Sequence, residues 1–142
     1  MKENLDLKSF VVLMKAAKSV EQNIKKDIRN YGIATSEFAV LEALYHKGKQ
    51  TVQQISNAVL INSGSITYVI DKLEAKKFIE RNHCQEDRRV VHIAITDAGK
   101  EFMDDVFPQH QKAIEEIFED INTEEKQFII DVLKRVGQKA MK

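Results

Sequence analysis

The 142-residue sequence has little of what disulfide-rich or all-β proteins use: one cysteine, one proline, five glycines and no tryptophan. The single cysteine, Cys84, cannot form a disulfide within the chain, and so few glycines and prolines disfavour the many turns of a sandwich or barrel. No run of about 18 apolar residues is present, so we expect no membrane-spanning segment. Residues 1–6 are too charged to begin a secretory signal. The composition therefore predicts one mainly helical, cytoplasmic protein.

The charges of the chain balance, but they are unevenly distributed. Although 22 basic side chains oppose 22 acidic ones overall, residues 47–92 carry eight basic and five acidic side chains, whereas residues 97–142 carry seven basic and eleven acidic ones. A basic region beside more acidic ones is what contact with a polyanion through one face requires. The middle of the chain is thus the part that we expect to meet phosphate groups.

Two segments towards the chain ends have the spacing of long amphipathic helices. In the first, apolar residues recur every three or four positions from Phe10 to Ile28, and Gly32 is placed to end the helix. In the second, a helix capped by Thr96 contains Pro108, which we expect to kink the helix or divide it in two. Both segments therefore present one apolar face that needs to be covered.

A further amphipathic helix, capped by Asn122, completes the C-terminal end. Three such helices have more apolar surface than one short helical domain covers, and the pairing of two chains would bury it. We therefore expect residues 1–34 and 97–142 to form the dimerisation region of a homodimer, with residues 35–96 as the remaining unit.

Three short helices are predicted in the middle of the chain. Thr35 or Ser36 is placed to cap the first of them, which should end at Gly48. Thr51, with a glutamine three residues later, has the spacing of a capping box for the second helix. Residues 62–77 then repeat apolar side chains at the helical period. Tight turns must join the three helices.

A β-hairpin is predicted after these helices. Residues 78–81 are rich in strand-forming side chains, and apolar residues alternate over residues 91–95. The connection at residues 82–89 is too long and polar for a tight turn, so we expect it to project into solvent with Arg88 and Arg89. Three helices followed by a hairpin is the order of a winged helix-turn-helix, a mainly α fold with a small β wing.

Each part of a winged helix-turn-helix has a use on a DNA duplex. The major groove of B-DNA admits one helix, and a charged loop beside that helix reaches the narrower minor groove. Arg88 and Arg89 have the charge that the negative potential of the minor groove attracts. The helix at residues 62–77 begins with short hydroxyl side chains and one aromatic, which suit phosphates and base edges. These side chains are Ser63, Ser65, Thr67 and Tyr68.

Two parts of this region resemble the signature of the MarR family. Residues 87–89, followed by five residues and then residues 95–99, resemble the motif D-x-R-(x)5-L-T-x-x-G of MarR-type transcriptional regulators, with Ile95 in place of the usual Leu. Residues 65–74 and 79–81 are similar to the recognition helix and the first wing strand of the same family. The resemblance is specific over about residues 51–99, and the order of elements agrees along the whole chain.

The resemblance implies a homodimer that places two winged units on a palindromic operator, as a repressor released by a small phenolic or aromatic ligand, an oxidant or a quinone. It implies a minor-groove contact by Arg89 at the wing tip, with Asp87 as the carboxylate that orients it. Lys77 stands where the family commonly has glycine, so a left-handed conformation there would cost about 1 kcal/mol. The implied contacts on the recognition helix are Ser63, Ser65, Thr67, Tyr68 and Lys72.

Cys84 lies on the predicted loop among cationic side chains, which stabilise a thiolate and make it reactive towards oxidants or quinones. One hypothesis is that Cys84 is a redox sensor; the alternative is an incidental exposed thiol. His83 and His92 could approach Cys84 across the hairpin, but the chain lacks the spacing of metal-binding motifs. We therefore expect neither a metal site nor a cofactor.

Two other classes of function are alternatives to DNA binding. The sequence has no Gly-rich phosphate loop, nucleophile elbow or zinc-binding spacing, so we do not expect an enzyme. The stronger alternative is a winged-helix adaptor whose arginine pair contacts an acidic protein surface. The salt dependence of binding separates this adaptor from a DNA-binding protein, because phosphate contacts release condensed counterions.

Overall fold

The computed structural model describes residues 3–59 and 66–141. In these residues, helices and strands follow one another as in a winged helix-turn-helix with additional helices at both chain ends, and the expected class, mainly α with a small β wing, is confirmed. Within the described ranges, no helix combines the length and apolarity that crossing a bilayer requires. The elements are α1 (Leu5–Arg29), α2 (Thr35–Lys47), β1 (Gln50–Thr51), α3 (Val52–Ala58), α4 (Ile66–Ala75), β2 (Ile79–His83), β3 (Val91–Ile95), α5 (Asp97–Ile117) and α6 (Thr123–Ala140).

The wing is an antiparallel sheet with the strand order β1, β3, β2. The expected hairpin of β2 and β3 is confirmed, but β2 begins one residue later and ends two residues later than the predicted residues 78–81. Asn82 and His83 therefore belong to the strand and not to the loop. The short strand β1, which places Gln50 opposite Ile93, was not expected, because its pairing partner lies far along the chain.

The predicted caps of three helices are confirmed. The Thr51 hydroxyl accepts a hydrogen bond from the Gln54 backbone N–H at 3.2 Å, and the Gln54 side chain accepts one from the Thr51 N–H at 2.9 Å. Thr96 caps α5 through its hydroxyl, and Asn122 Oδ1 accepts from the Glu125 N–H at 2.8 Å. Each cap satisfies backbone donors that have no partner within the helix.

The start of α2 and the course of α5 differ from expectation. Thr35 lies inside α2, and the N-cap residue is Ala34, so the prediction that Thr35 or Ser36 caps this helix is wrong. The Glu37 side chain replaces a cap, because its Oε1 accepts a hydrogen bond from the Ala34 N–H at 3.0 Å. Helix α5 continues through Pro108, so the proline does not divide it.

The core is built around α2, which packs against α1, α3, α4, α5 and β3. Its inward side chains meet apolar residues from each of these elements, and burial of such side chains is the main stabilising contribution to a fold of this size. The largest fully buried side chains are Phe38, Ile28, Leu41, Leu44, Ile55, Ile70, Leu73, Ile93, Met103 and Val40.

The outer parts of α1 and α6 have apolar faces that the single chain leaves open. Only the C-terminal end of α1 enters the core, through Ile24 and Ile28, whereas Phe10 on the same predicted face is 61% exposed. No described residue of α6 is buried. Large side chains exposed on these two helices include Leu5, Leu7, Val12, Met14, Phe128, Ile130, Leu133 and Val136.

Candidate nucleic-acid interface

Helix α4, the described part of the predicted recognition helix, separates an apolar face from a polar one. Val69, Ile70 and Leu73 are buried against the core and fix the rotation of the helix. Side chains three and four positions apart lie on one face of a helix, and the opposite face carries Tyr68 and Lys72 in solvent. The Lys72 ammonium lies 4.9 Å from the centroid of the Tyr68 ring, a cation–π contact.

The predicted contacts on this helix are only partly within the described residues. Thr67, Tyr68 and Lys72 are all exposed on α4. Ser63 and Ser65 lie outside the described residues, as does the predicted start of the helix. The exposed face of α4 therefore offers one hydroxyl, one aromatic ring and one ammonium group to a partner.

The C-terminal end of α4 is a Schellman motif closed by a lysine. Lys77 has a φ angle of 67°, in the left-handed region that favours glycine. Its N–H donates to the Glu74 carbonyl at 2.9 Å, and the Phe78 N–H donates to the Leu73 carbonyl at 3.1 Å. These are the two hydrogen bonds of the motif. The departure from the family's glycine therefore leaves the turn unchanged and adds backbone strain of about 1 kcal/mol.

Thr96 and Gly99, which close the family motif, hold this turn from the other side. The Thr96 hydroxyl donates to the Lys77 carbonyl at 2.7 Å and accepts from the Gly99 N–H at 3.1 Å. A Cβ atom on Gly99 would lie 2.3 Å from the Phe78 carbonyl oxygen and 2.7 Å from a side-chain carbon of Ile95. Only glycine allows this approach, so the motif joins the end of α4 to the start of α5.

The tip of the wing holds an exposed arginine in a fixed orientation. The Arg89 side chain is 90% exposed, yet its Nε lies 3.1 Å and its Nη2 3.2 Å from the two carboxylate oxygens of Asp87. The Arg89 backbone N–H also donates to Asp87 at 3.0 Å. The Arg89 hydrogen bonds hold the pKa of the Asp87 carboxyl below its usual value. Arg88 beside them is exposed as well.

Arg81 of β2 pairs with two acidic side chains on the outer face of α4. Its guanidinium donates to both Asp71 and Glu74, and these two contacts raise its pKa, with the Asp71 hydrogen bond as the largest cause. The single positive charge of Arg81 offsets one of the two negative charges, which lowers their combined repulsion of a nearby anion. The pairing of Arg81 with α4 was not expected, because the distance between a helix and a strand is not visible in a linear pattern.

Cys84 lies at the base of the wing loop and is half-buried. Its N–H donates to the Val90 carbonyl at 2.9 Å, and its side chain borders a shallow depression with His83, Gln85 and Arg88. The His83 Nδ1 lies 3.3 Å from the Arg88 carbonyl oxygen. Among the described residues, no three His, Cys, Asp or Glu side chains are arranged to hold a metal ion.

A buried cluster of polar side chains connects α1, α2 and α5. The His110 side chain is 5% exposed; its Nδ1 lies 3.1 Å from an Asp27 carboxylate oxygen and its Nε2 3.7 Å from one of Glu42. The Tyr31 hydroxyl donates to Asp27, and burial together with this carboxylate raises the pKa of Tyr31. The His110 ring packs on Phe38, with centroids 4.7 Å apart.

The burial of Glu37 and His110 was not expected, because polar residues in an amphipathic pattern normally face solvent. Both are buried, at 3% and 4% exposure. For Glu37 a signal was available: the side chain stands three residues after Ala34, the spacing of an N-terminal capping acid. For His110 the partner Asp27 is distant in sequence, so no local pattern identifies it.

Solved structures with this fold are known. The chain superposes on AbsC, a MarR family transcriptional regulator from Streptomyces coelicolor, with a TM-score of 0.87 over 99% of this chain and 97% of AbsC, at 17% identity. It superposes on Sco3205 from the same organism, solved in complex with DNA, with a TM-score of 0.84 over 100% of this chain and 91% of that protein, at 18% identity. At such low identity these likenesses establish the fold alone.

The sequence comparisons identify the family. Residues 33–91 match the MarR family. The chain is 45% identical over 134 residues to the HTH-type transcriptional regulator MhqR of Bacillus subtilis (strain 168), which covers 94% of this chain and 92% of MhqR. It is 40% identical over 128 residues to the regulator YkoM of the same organism, covering 90% and 83%. These relatives are regulators and not enzymes, and the chain belongs to the MarR family of DNA-binding transcriptional regulators.

Proposed function

We propose that this regulator is a homodimeric repressor that binds a palindromic operator through α4 and the wing. The observation that carries the proposal is Arg89, whose guanidinium is almost fully exposed but held by Asp87. An exposed side chain that is oriented in advance loses less conformational freedom when it binds. In the proposed complex Arg89, with Arg88, enters the minor groove. Helix α4 contacts the major groove through Thr67, Tyr68 and Lys72, preceded by Ser63 and Ser65.

The open apolar faces of α1 and α6 support the dimer. A continuous set of large exposed apolar side chains is typical of a protein–protein interface. The two faces belong to residues 1–34 and 97–142, the regions that we assign to dimerisation. Residues 35–96 then form the DNA-binding unit of each subunit. A two-fold dimer would present two α4 helices to half-sites about 34 Å apart, one turn of the duplex.

A cavity supports regulation by a small aromatic ligand. It has a volume of about 440 Å³ and lies between α1, α2 and α5, within the size range of small-molecule sites. Ile28, Phe38 and Ile114 provide apolar walls, and Glu42 and His110 provide hydrogen-bonding groups for a phenolic hydroxyl. Some ligands would bind better when the two DNA-binding units are misaligned. Such a ligand would lower operator affinity by a factor set by the ratio of its affinities for the misaligned and aligned states.

A second route of release is covalent modification of Cys84. The Cys84 thiolate would add to a ring carbon of a quinone, which forms a C–S bond and breaks a ring C=C bond. One oxygen then takes a proton from solvent and the proton of the attacked carbon moves to the other oxygen, so the quinone itself is reduced to a hydroquinone thioether. Because Cys84 is hydrogen-bonded through its backbone to Val90 at the base of the wing loop, a bulky adduct would displace the segment that carries Arg89. If a quinone releases DNA equally from the wild type and Cys84→Ser, this route is excluded and the cavity remains.

Operator binding by Arg89 variants tests the main proposal. After selection of bound duplexes from a random-sequence library, Arg89→Ala should weaken binding to the selected site about tenfold or more, within the range of a lost specific contact. Arg89→Lys should recover only part of the affinity, since it keeps the charge without the planar fork. Because the side chain is so exposed, circular dichroism and oligomeric state should not change.

The salt dependence of binding separates this proposal from a protein adaptor. Contacts with Z phosphates give a slope of about −0.9Z in a plot of the logarithm of affinity against that of salt concentration. The wild type should show a slope that corresponds to several phosphates. A slope near zero, or equal affinity of Arg89→Ala and wild type, would contradict the proposal and favour the adaptor.

A further inference from the structure

Glu37 is a carboxylate buried in the core at the N-terminal end of α2. The residue is 3% exposed, and its Oε1 accepts two hydrogen bonds at 3.0 Å, one from the Ala34 N–H and one from the Lys76 ammonium. Its other oxygen, Oε2, is buried and has no hydrogen-bond partner among the described residues. Helix capping alone does not require burial of this charge, because capping carboxylates ordinarily lie at the surface in water.

Lys76 connects this buried carboxylate to the last turn of α4. Its side chain is 40% exposed, so the ammonium lies at the boundary between the core and solvent. Lys76 immediately precedes the strained residue Lys77, whose carbonyl is bound by Thr96. The end of α4 is therefore held by α2 through Lys76 and by the start of α5 through Lys77.

An ion pair with one buried partner restricts geometry more than apolar packing does. Apolar side chains tolerate small sliding movements, whereas a desolvated carboxylate loses most of its compensation if the ammonium moves away. The Glu37–Lys76 pair therefore penalises a shift of α4 along α2. Such a shift would displace Thr67, Tyr68 and Lys72 relative to base edges, whose hydrogen bonds require accurate placement.

We propose that Glu37 is a positioning residue for DNA recognition, which acts through Lys76 to fix the placement of α4 on the winged unit. The inference rests on the proposed role of α4 as the recognition helix. It predicts that the ion pair contributes to discrimination between operator and random duplex, although Glu37 itself is buried and touches no DNA.

Two simpler roles for these residues make different predictions. If Lys76 contacts a phosphate directly, its loss weakens binding to every duplex and lowers the salt slope by about one phosphate. If the pair only stabilises the fold, its loss lowers the unfolding temperature and leaves the affinity of the folded protein unchanged. Only a positioning role lowers the ratio of operator affinity to random-duplex affinity in a fully folded dimer.

A double-mutant cycle on the full-length protein tests the proposal. Wild type, Glu37→Gln, Lys76→Met and the double variant are titrated with the selected operator and with random duplex, at a temperature where all are folded. We expect Lys76→Met to reduce the specificity ratio about tenfold and Glu37→Gln to reduce it several-fold. The double variant should lower the specificity ratio no further than Lys76→Met does, because the effects of substitutions at contacting residues that act as a unit do not add.

Two further variants control for charge and for folding. Lys77→Met removes a positive charge at the adjacent position and keeps the backbone strain, so it should leave the specificity ratio unchanged. Lys76→Arg keeps a cation that can reach Glu37 and should retain the ratio within about threefold. Because Lys76 is partly exposed, its variants should fold even if Glu37→Gln does not. The comparison of Lys76→Met, Lys76→Arg and Lys77→Met then decides the question without the Glu37 variant.

The outcomes separate failure of this inference from failure of the proposed function. Additive losses in the cycle, or equal effects of Lys76→Met and Lys77→Met, would overturn the positioning role while operator binding by the wild type stands. A wild type that binds operator and random duplex equally would overturn both. Loss of stability without a change in the specificity ratio would assign the pair to folding alone.

Discussion

The winged unit and the terminal helices differ in how completely one chain buries them. In α2 the side chains of Phe38, Val40, Leu41 and Leu44 are at most 2% exposed, whereas in α6 no described residue is buried and Phe128 is 69% exposed. Helices in proteins gain most of their stability from packing of their apolar face. We infer that the winged unit is specified within one chain and that the outer helices depend on assembly.

Charge is distributed between the two regions in a corresponding way. In the winged unit, several acidic groups are paired: Asp71 and Glu74 with Arg81, and Glu37 with Lys76. Arg89 is paired as well, with Asp87, but its guanidinium remains exposed, as do the side chains of Arg88 and Lys72. The C-terminal segment is acidic overall, so we expect it to repel DNA and not to bind it. This contrast agrees with the proposed division of the chain into a DNA-binding unit and a dimerisation region.

The strongest test of this comparison is a charge placed on the open face of α6. Leu133→Glu should raise the dimer dissociation constant at least about 100-fold, because an uncompensated charge in an interface costs about 3–5 kcal/mol. Operator affinity should fall with it. Sedimentation velocity over a concentration series measures the dissociation constant.

The control for this substitution is Gln138→Glu, which adds the same charge at an exposed position of the same helix. This variant should remain dimeric. If both variants have the dissociation constant of the wild type, the open faces of α1 and α6 do not form the interface, and the contrast between the regions has another cause.

A pair of glycine substitutions tests the two regions with one chemistry. Gly99→Ala should lower the free energy of unfolding by about 1–3 kcal/mol, because its Cβ would overlap the Phe78 carbonyl and the Ile95 side chain. Gly137→Ala in α6 meets no atom within 4 Å and should raise the free energy of unfolding by about 0.5–1 kcal/mol. Urea denaturation of both variants provides the measurement. Equal effects at the two positions would refute the difference in packing.

Removal of the backbone strain at the end of α4 should have a smaller effect. Lys77→Gly should raise the free energy of unfolding by about 1 kcal/mol, since glycine adopts a φ of 67° without a Cβ penalty. Lys77→Ala keeps the penalty and should differ little from the wild type. A stabilisation of the same size in Lys77→Ala would show that the side chain, and not the backbone, is responsible.

The smallest expected effect concerns the acid at the wing tip. Asp87 has a folded-state pKa below its ordinary value of 3.8, chiefly because of the Arg89 side-chain hydrogen bonds. The ion pair is therefore complete above that ordinary value and is lost as the pH falls through the lowered one. Carboxyl NMR titration should show this pKa rise towards its ordinary value in Arg89→Ala without reaching it, because the backbone N–H of residue 89 still donates to Asp87. No change would mean that Arg89 does not hold Asp87 in solution.

Local features of the fold were predictable from the sequence, and distant pairings were not. The caps at Thr51, Thr96 and Asn122 depend on side chains within three residues of the backbone groups that they bind. Spacing alone therefore identifies them. Strand β1 forms by pairing with β3, which lies far along the chain. It has only two residues, so no alternation of apolar and polar side chains can reveal it. The start of α2 was misplaced because Thr35 and Ser36 are good caps, but Glu37 fixes the helix start from inside.

The candidate site was predictable to the same extent. Arg89 and Asp87 lie two residues apart, so the motif places them together, and the structure shows their contact. The actual partners of Arg81 and the burial of His110 were not foreseen, because they depend on the packing of one element on another. Residue types indicated which chemistry was available, whereas only the three-dimensional arrangement showed which charges were already neutralised.

The position of β1 in the sheet has a mechanical consequence for groove fitting. Since β1 lies beside β3, the base of the hairpin is braced by a third strand that leads directly into α3. Beyond His83 and Val91, the described backbone bonds across the tip are those from Cys84 to Val90 and from Val90 to Asp87. We expect the hairpin to bend next to these bonds, so that Asp87 and Arg89 move together and keep their contact. A single protein could then accommodate half-sites whose minor grooves differ in width without disturbing the helices below.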